Sequence, residues 1–312
     1  MPPIADIRFF ALAETGTLEH QALLLCESVR RFGGNYARAP ISVVSPRAAR
    51  RPSAATRAAF AAMDVDFVAL DIVSPCPEYG TSYRVAAAAH IERESQAQFL
   101  LQLDSDTLFL REPVFDCAGV DALARPVDVQ GICTRDGDER EAYWRALCAL
   151  CGVAFETLPW VTTTVDRRRV RANYNGGLVL VRRERGLLQL THEFFLRIVA
   201  ARQHSNPRPS GPFRIGAGRC SPDGFTYWGT AQVAFALASA ARGAPVGVLP
   251  PSYNVPLHSF AELPPDPAPV HVHYHWLFDA DARVNNPLLD GRIALDAEQS
   301  AWLQRRRPAH AA

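Results

Sequence analysis

Through the first hundred residues, short apolar runs alternate with stretches of helical periodicity. Ile7–Ala13 reads as a strand. Gly16–Phe32 reads as a helix, with Leu18, Leu24, Leu25, Val29 and Phe32 as its apolar candidates. Ile41–Ser45 is a second strand, Ala54–Met63 a helix and Val65–Leu70 a third strand. Ser82–Arg93 is another helix, and Gln98–Leu103 a fourth strand that ends at two aspartates. Strands alternating with helices predict an α/β fold, a mostly parallel sheet flanked by helices on both faces. Open sheets of this kind bind ligands beyond the C-terminal ends of their strands.

The second half is less regular. Val127–Cys133 and Gly177–Val181 look like strands, Glu139–Cys151 and Leu187–Ala201 like helices. Asn206–Asp223, rich in Pro and Gly, reads as a loop long enough to cover a site. Tyr227–Ala241 is a strong helix. Leu249–His258 and Pro264–Pro269 are extended or turning segments, and Val270–His275 is a late strand. The tail from Ile293 reads as a short helix followed by a disordered end. No repeat is visible. The expectation is one continuous α/β unit with a C-terminal extension.

Composition narrows the chemistry. The 312 residues carry 33 basic side chains, every one of them arginine. Without lysine there is no pyridoxal Schiff base, no P-loop lysine and no kinase strand lysine. Arginine binds phosphate but is not a base near pH 7. The net charge of +1 supplies no broad field for nucleic acid or an anionic membrane, so no nucleic-acid partner is expected. Seven cysteines, an odd number in a long chain, favour a reducing compartment and a cytoplasmic location. No leader pattern stands at the start, and no apolar run is long enough for an integral membrane segment. Cys148-Ala-Leu-Cys151 has CxxC spacing but lies in a helical pattern with no companion pair, which reads as core. Arg167-Arg-Arg-Val-Arg171 reads as a solvated run, with covering a diphosphate or meeting an anionic acceptor as its functional alternatives.

Two segments carry candidate chemistry. Phe99-Leu-Leu-Gln-Leu-Asp-Ser-Asp-Thr-Leu-Phe-Leu110 delivers Asp104 and Asp106 to the end of a buried strand. Two carboxylates in a tight turn can share a divalent cation, which would neutralise a diphosphate. Pro269-Val-His-Val-His-Tyr-His-Trp276 places His271, His273 and His275 on one face of a strand. Imidazole suits manganese beside two carboxylates, with His273 favoured as third ligand. A three-histidine zinc site is the rival.

These residues resemble a family. The chain is similar, over roughly residues 7 to 280, to GT-A fold glycosyltransferases, the nucleotide-diphospho-sugar transferases, nearest to glycosyltransferase family 8. The DxD motif of that family matches Asp104-Ser-Asp106, and its asparagine–glycine strand matches Tyr174-Asn-Gly-Gly-Leu-Val-Leu-Val181. Its late metal histidine matches His273, and a basic residue before the DxD strand matches Arg84. The resemblance implies a GT-A fold, a single mixed, mostly parallel sheet flanked by helices. Residues 1–280 would form the domain, a nucleotide-binding half over about 1–112 and an acceptor-side half over about 113–280. Residues 281–312 would be an extension.

It further implies a retaining, metal-dependent hexosyl transfer. The donor would be a nucleotide-diphosphate sugar, UDP-sugar favoured, with Mn2+ or Mg2+ on Asp104, Asp106 and His273. The acceptor would be a carbohydrate, lipid or other small molecule. Asp104, Asp106, Asn175 and Gln232 form the catalytic set, the two amides holding sugar hydroxyls. Thr15, Tyr83, Arg84, Ser105, Gly176 and Gly177 form the donor-binding set. Glu14 would join Thr15 at the base or ribose, and Tyr79 would join Tyr83 in stacking on the base.

The chain departs from the pattern twice. Gly229-Thr-Ala-Gln232 has Ala231 where relatives often carry aspartate, and Trp276-Leu-Phe-Asp279 lacks the lysine that often follows the histidine. An arginine, Arg84 or another, is therefore expected at the donor phosphate. If the reaction inverts instead, a carboxylate base is needed, and Asp223 is the candidate. The alternatives are a sugar- or nucleotide-binding module without turnover, and a nucleotidyltransferase. The latter usually has a glycine-rich basic loop after strand one, which Ala11-Leu-Ala-Glu-Thr-Gly16 lacks.

Overall fold

A computed structural model of the chain describes residues 6–207, 213–215, 218–263, 268–275, 277 and 286–306. The elements run β1 (Ile7–Leu12), α1 (Thr17–Phe32), β2 (Ile41–Ser45), α2 (Ala54–Ala62), β3 (Val65–Ala69), α3 (Thr81–Glu94), β4 (Phe99–Leu103) and β5 (Thr107–Phe109). Then follow β6 (Ala122–Pro126), α4 (Glu141–Cys151), β7 (Trp160–Thr162), β8 (Arg169–Arg171), β9 (Tyr174–Arg182) and α5 (Leu187–Ala200). The chain continues through β10 (Phe213–Ile215), β11 (Gly218–Cys220), α6 (Pro222–Phe225), α7 (Thr230–Ala241), β12 (Val246–Val248), β13 (Val255–Pro256), β14 (His271–His273) and α8 (Ala297–Arg306).

The main sheet has seven strands in the order β12-β6-β9-β4-β1-β2-β3. It is mixed and mostly parallel, with only β9 running antiparallel to its neighbours β4 and β6. Period-two alternation sorts its side chains. Phe10, Val44, Leu100, Val179 and Val181 join one core layer, with Phe194, Phe195 and Phe235 of α5 and α7. Phe9, Val43, Leu101, Leu178 and Leu180 join the opposite layer, with Leu25, Val29 and Phe60 of α1 and α2. A third cluster seats the C-terminal helix. Trp302 lies edge-on to Phe32 at 5.2 Å and donates to Glu27 at 2.9 Å, while its neighbour Leu303 packs in the same cluster as Leu24 and Val272. Cys148 and Cys151 are buried in the core, where burial pushes their thiols up to about 12 and about 11.

Three small sheets stand beside the main one: β13-β14-β5, β10-β11 and β7-β8. The first matters for the site, because β14 runs antiparallel to β5 and holds the chain just after the two aspartates. Two local expectations need correction. The strand expected over Val127–Cys133 lies earlier, at Ala122–Pro126. The ladder with β9 is irregular between Ala124 and Pro126, and proline has no N–H to extend it. Asn206–Asp223 is not all loop, since β10 and β11 pair antiparallel within it. The end expected to be disordered lies outside the described residues beyond 306, as do four residues of Pro264–Pro269. Among the described residues, no helix is long and apolar enough to cross a membrane.

Candidate active site

Strand β4 is wholly buried in the middle of the sheet, so the chain leaving Leu103 emerges at a fixed point on its C-terminal edge. Three bonds clamp the following turn. The Asp104 N–H donates to the Gly177 carbonyl at 3.0 Å, the Thr107 hydroxyl to the Asp104 carbonyl at 2.7 Å, and the Tyr274 N–H to the Asp106 carbonyl at 3.0 Å. The turn is thereby tied to β9 and to the residue following β14. The Ser105 hydroxyl lies 3.4 Å from Gln21 of α1.

His273, six per cent exposed, sets its Nε2 3.2 Å from Asp106 Oδ1 and 4.0 Å from Asp104 Oδ2. Burial alone would raise the Asp106 carboxyl, yet the charge and hydrogen bond of His273 hold it at about 2. Burial would lower His273, yet Asp106, then Asp104 and Asp128, raise it. The other Asp104 oxygen faces Arg84 of α3, whose Nη1 donates to it at 2.5 Å and to the Gly176 carbonyl at 2.9 Å. Burial raises the Asp104 carboxyl, with Arg84 opposing.

Among the described residues, Asp106, His273 and His275 each offer a candidate metal-binding atom, and these atoms lie within 4.8 Å of one another. His271 stays apart. Its ring is fully buried, 4.6 Å from Phe109, and neither ring nitrogen has a hydrogen-bond partner among the described residues.

The two glycines of β9 admit close approach, but what approaches is protein. A Cβ on Gly177 would lie 2.4 Å from Asn254 Oδ1 and 2.6 Å from His273 Nδ1. A Cβ on Gly176 would lie 2.7 Å from both terminal nitrogens of Arg84. Asn175 is held in a polar network behind them. Its Oδ1 accepts from Gly177 N at 2.9 Å and from Asn254 Nδ2 at 3.0 Å, and its Nδ2 donates to Asp128 at 3.2 Å. Buried Arg125 donates to the Asn254 carbonyl at 2.5 Å and pairs with Asp128 at 3.7 Å. Sequence reasoning missed Asn254, Asp128, Arg125 and His258. His258 packs edge-on to His275 at 4.5 Å. All four lie in or next to irregular segments, where no periodicity points at them.

Gln232, Ala231, Arg84, Gly176 and Tyr174 line a small pocket between β9, α3, α5 and α7. Ala231, the departure from the family pattern, thus faces the same space as Gln232. Other expected residues stand further out. Glu14 binds Arg47 through both carboxylate oxygens, Arg47 lies 4.3 Å over the Tyr83 ring, and Thr15 is exposed beside them. Tyr79 is buried against Phe195 at 6.1 Å, so its ring belongs to the core. Asp223 is exposed on α6. Of Trp276–Asp279, only Leu277 is among the described residues.

The model of the Rhodobacterales glycosyltransferase domain matches residues 9–211, about two thirds of the chain. The chain belongs to this family. It is a glycosyltransferase. The matched span of the Rhodobacterales glycosyltransferase domain includes Arg84, Asp104, Asp106 and Asn175 and ends before Gln232 and His273. No curated protein sequence matches the chain. Among solved structures, an active-site mutant of LgtC superposes with a TM-score of 0.51 at 13% identity, covering 97% of this chain and 98% of that one. The galactosyltransferase LgtC with donor and acceptor sugar analogues gives 0.50 at 12%, covering 95% and 99%. Mouse xyloside xylosyltransferase 1 gives 0.46 at 10%, covering 86% and 97%. The fold is GT-A.

Proposed function

We propose that this glycosyltransferase is metal-dependent and retaining. It transfers a hexose from a nucleotide-diphosphate sugar, UDP-sugar favoured, to a carbohydrate, lipid or other small acceptor. The observation that carries the reading is the convergence of Asp104 and Asp106 on His273 Nε2 at the exit of β4. Carboxylate oxygens and an imidazole nitrogen form a donor set suited to Mn2+ or Mg2+, so the residues present fit the ion. When bound, such a cation offsets the charge that grows on a departing diphosphate.

The remaining work falls to side chains of this chain. Arg84 carries the only guanidinium hydrogen-bonded to Asp104 among the described residues, and it would turn part of its fork to a phosphate oxygen. Asn175, locked by Gly177, Asn254 and Asp128, presents a fixed amide edge beside the cation-binding turn. Gln232 would hold a sugar hydroxyl from the opposite wall of the pocket. Thr15 and Tyr83 form the outer, base-facing wall. In the retaining reading the acceptor proton passes to a donor phosphate oxygen, so no protein base is required. We assign the transferase to residues 1–280 and treat 281–312 as an extension.

Screening UDP-glucose, UDP-galactose and other nucleotide sugars for slow hydrolysis, with and without Mn2+, tests the reading. Release of sugar from one donor only with metal, lost in Asp104→Ala, supports it. Metal-independent release that survives Asp104→Ala contradicts it.

A further inference from the structure

In a regular strand, residues two apart on one face stand about 6.6 Å from each other. The rings of His273 and His275 are much closer, stacked with centroids 3.9 Å apart and planes within 12°. The cause is local. His275 lies past the end of β14 with φ at +57°, a left-handed conformation that few non-glycine residues adopt. The bend folds its side chain back over His273. In the stack its Nδ1 lies 3.1 Å from the His273 carbonyl oxygen, and His258 packs edge-on at 4.5 Å. Backbone strain of this kind persists where surrounding contacts hold it, and it clusters at functional sites.

We propose that His275 is a further ligand of the cation. It makes this site one of two carboxylates and two imidazoles, and so favours Co2+ or Zn2+ over Mg2+. The inference rests on the reading of Asp104, Asp106 and His273 as a cation site, and it adds a residue to it. Candidate ligand atoms of Asp106, His273 and His275 already lie within 4.8 Å of one another. Metal–nitrogen bonds of about 2.1 Å allow two ligand atoms to stand at most about 4.2 Å apart, and the stacked rings hold their nitrogen lone pairs in near-parallel planes, so one imidazole turns out of the stack for both to reach one ion. A phenylalanine at this position would give the same stack without a donor atom. A second nitrogen in place of an oxygen moves selectivity away from Mg2+, which prefers oxygen, towards the later first-row ions.

The test uses the metal-free full-length chain, titrated calorimetrically with MgCl2, MnCl2 and CoCl2, with visible absorption of the Co2+ form as a second readout. Two variants are compared with the parent. His275→Asn tolerates a left-handed backbone, and His275→Phe keeps the ring stack. Both are expected to weaken Co2+ by about 10- to 100-fold while changing Mg2+ by less than about 3-fold, and to alter the Co2+ bands. Unchanged Co2+ affinity and spectrum in both variants, with binding lost in Asp106→Asn, overturns the role of His275 and leaves the three-residue site standing. Absence of binding of any ion to the parent overturns both readings.

Discussion

The two ends of β14 begin from the same residue type and arrive at opposite chemistry. His271 and His273 share a face of one short strand, both buried, and both pair with β5. His271 meets Phe109, has no hydrogen-bond partner among the described residues, and burial drives its pKa well below the ordinary range. His273 sits opposite Thr107, one residue after Asp106, and the carboxylates raise its pKa against the same burial. Alternation placed both side chains on one face. The neighbouring strand decides which of them does chemistry.

The largest expected break in that symmetry is Asp106→Asn, which removes the charge facing His273. Initial rates of sugar transfer should fall by about 10³-fold with the fold intact by circular dichroism. His273→Ala should cost about 10²-fold by the same assay, while His271→Phe should stay within about 3-fold of the parent. In denaturant melts His271→Phe should match or exceed the parent, because two buried ring nitrogens without partners are removed at a site already lined by Phe109.

Gly177→Ala comes next. Its Cβ would press on the His273 ring and Asn254, at a cost of about 1–3 kcal/mol in a denaturant melt, with weakened metal binding. For Gly176→Ala the nearest atoms are the far end of Arg84, and the change should cost less than about 1 kcal/mol because that side chain can shift.

The smallest effect is a pH dependence in the metal-free chain. His273 is raised on folding, so its contribution is fully present below its unfolded pKa near ~6.5 and is lost as pH rises through its folded value. Asp106 is lowered to about 2 on folding, so its contribution is present above its unfolded value and is lost as pH falls towards 2. The stability difference between the parent and His273→Ala should therefore be larger at pH 5.5 than at pH 8.5 (conditions roughly one to two units either side of the His reference value). A difference that grows with pH would reverse the assignment.

Much of this architecture was legible in the chain because the first half obeys simple periodicities. Buried strands such as Ile41–Ser45 and Phe99–Leu103 are short, largely apolar runs that each follow a helix, and their order implies a parallel sheet. Strand β6 was not legible, because Ala122–Pro126 carries a buried arginine and a proline. The two aspartates and His273 could be read from strand ends. Arg125, Asp128, Asn254 and His258 could not, because long-range packing brings them in from a strand end and irregular segments. The approach of His275 was hidden by a left-handed residue that no alternation pattern anticipates.

The central claim is that the carboxylates and His273, but not His271, bind the divalent cation. It is tested most directly by calorimetric titration of Mn2+ into the metal-free parent, Asp106→Asn, His273→Ala and His271→Phe. The account predicts affinity weakened by about 100-fold or more in the first two variants and unchanged in His271→Phe. Equal Mn2+ affinity in the parent and Asp106→Asn would contradict it.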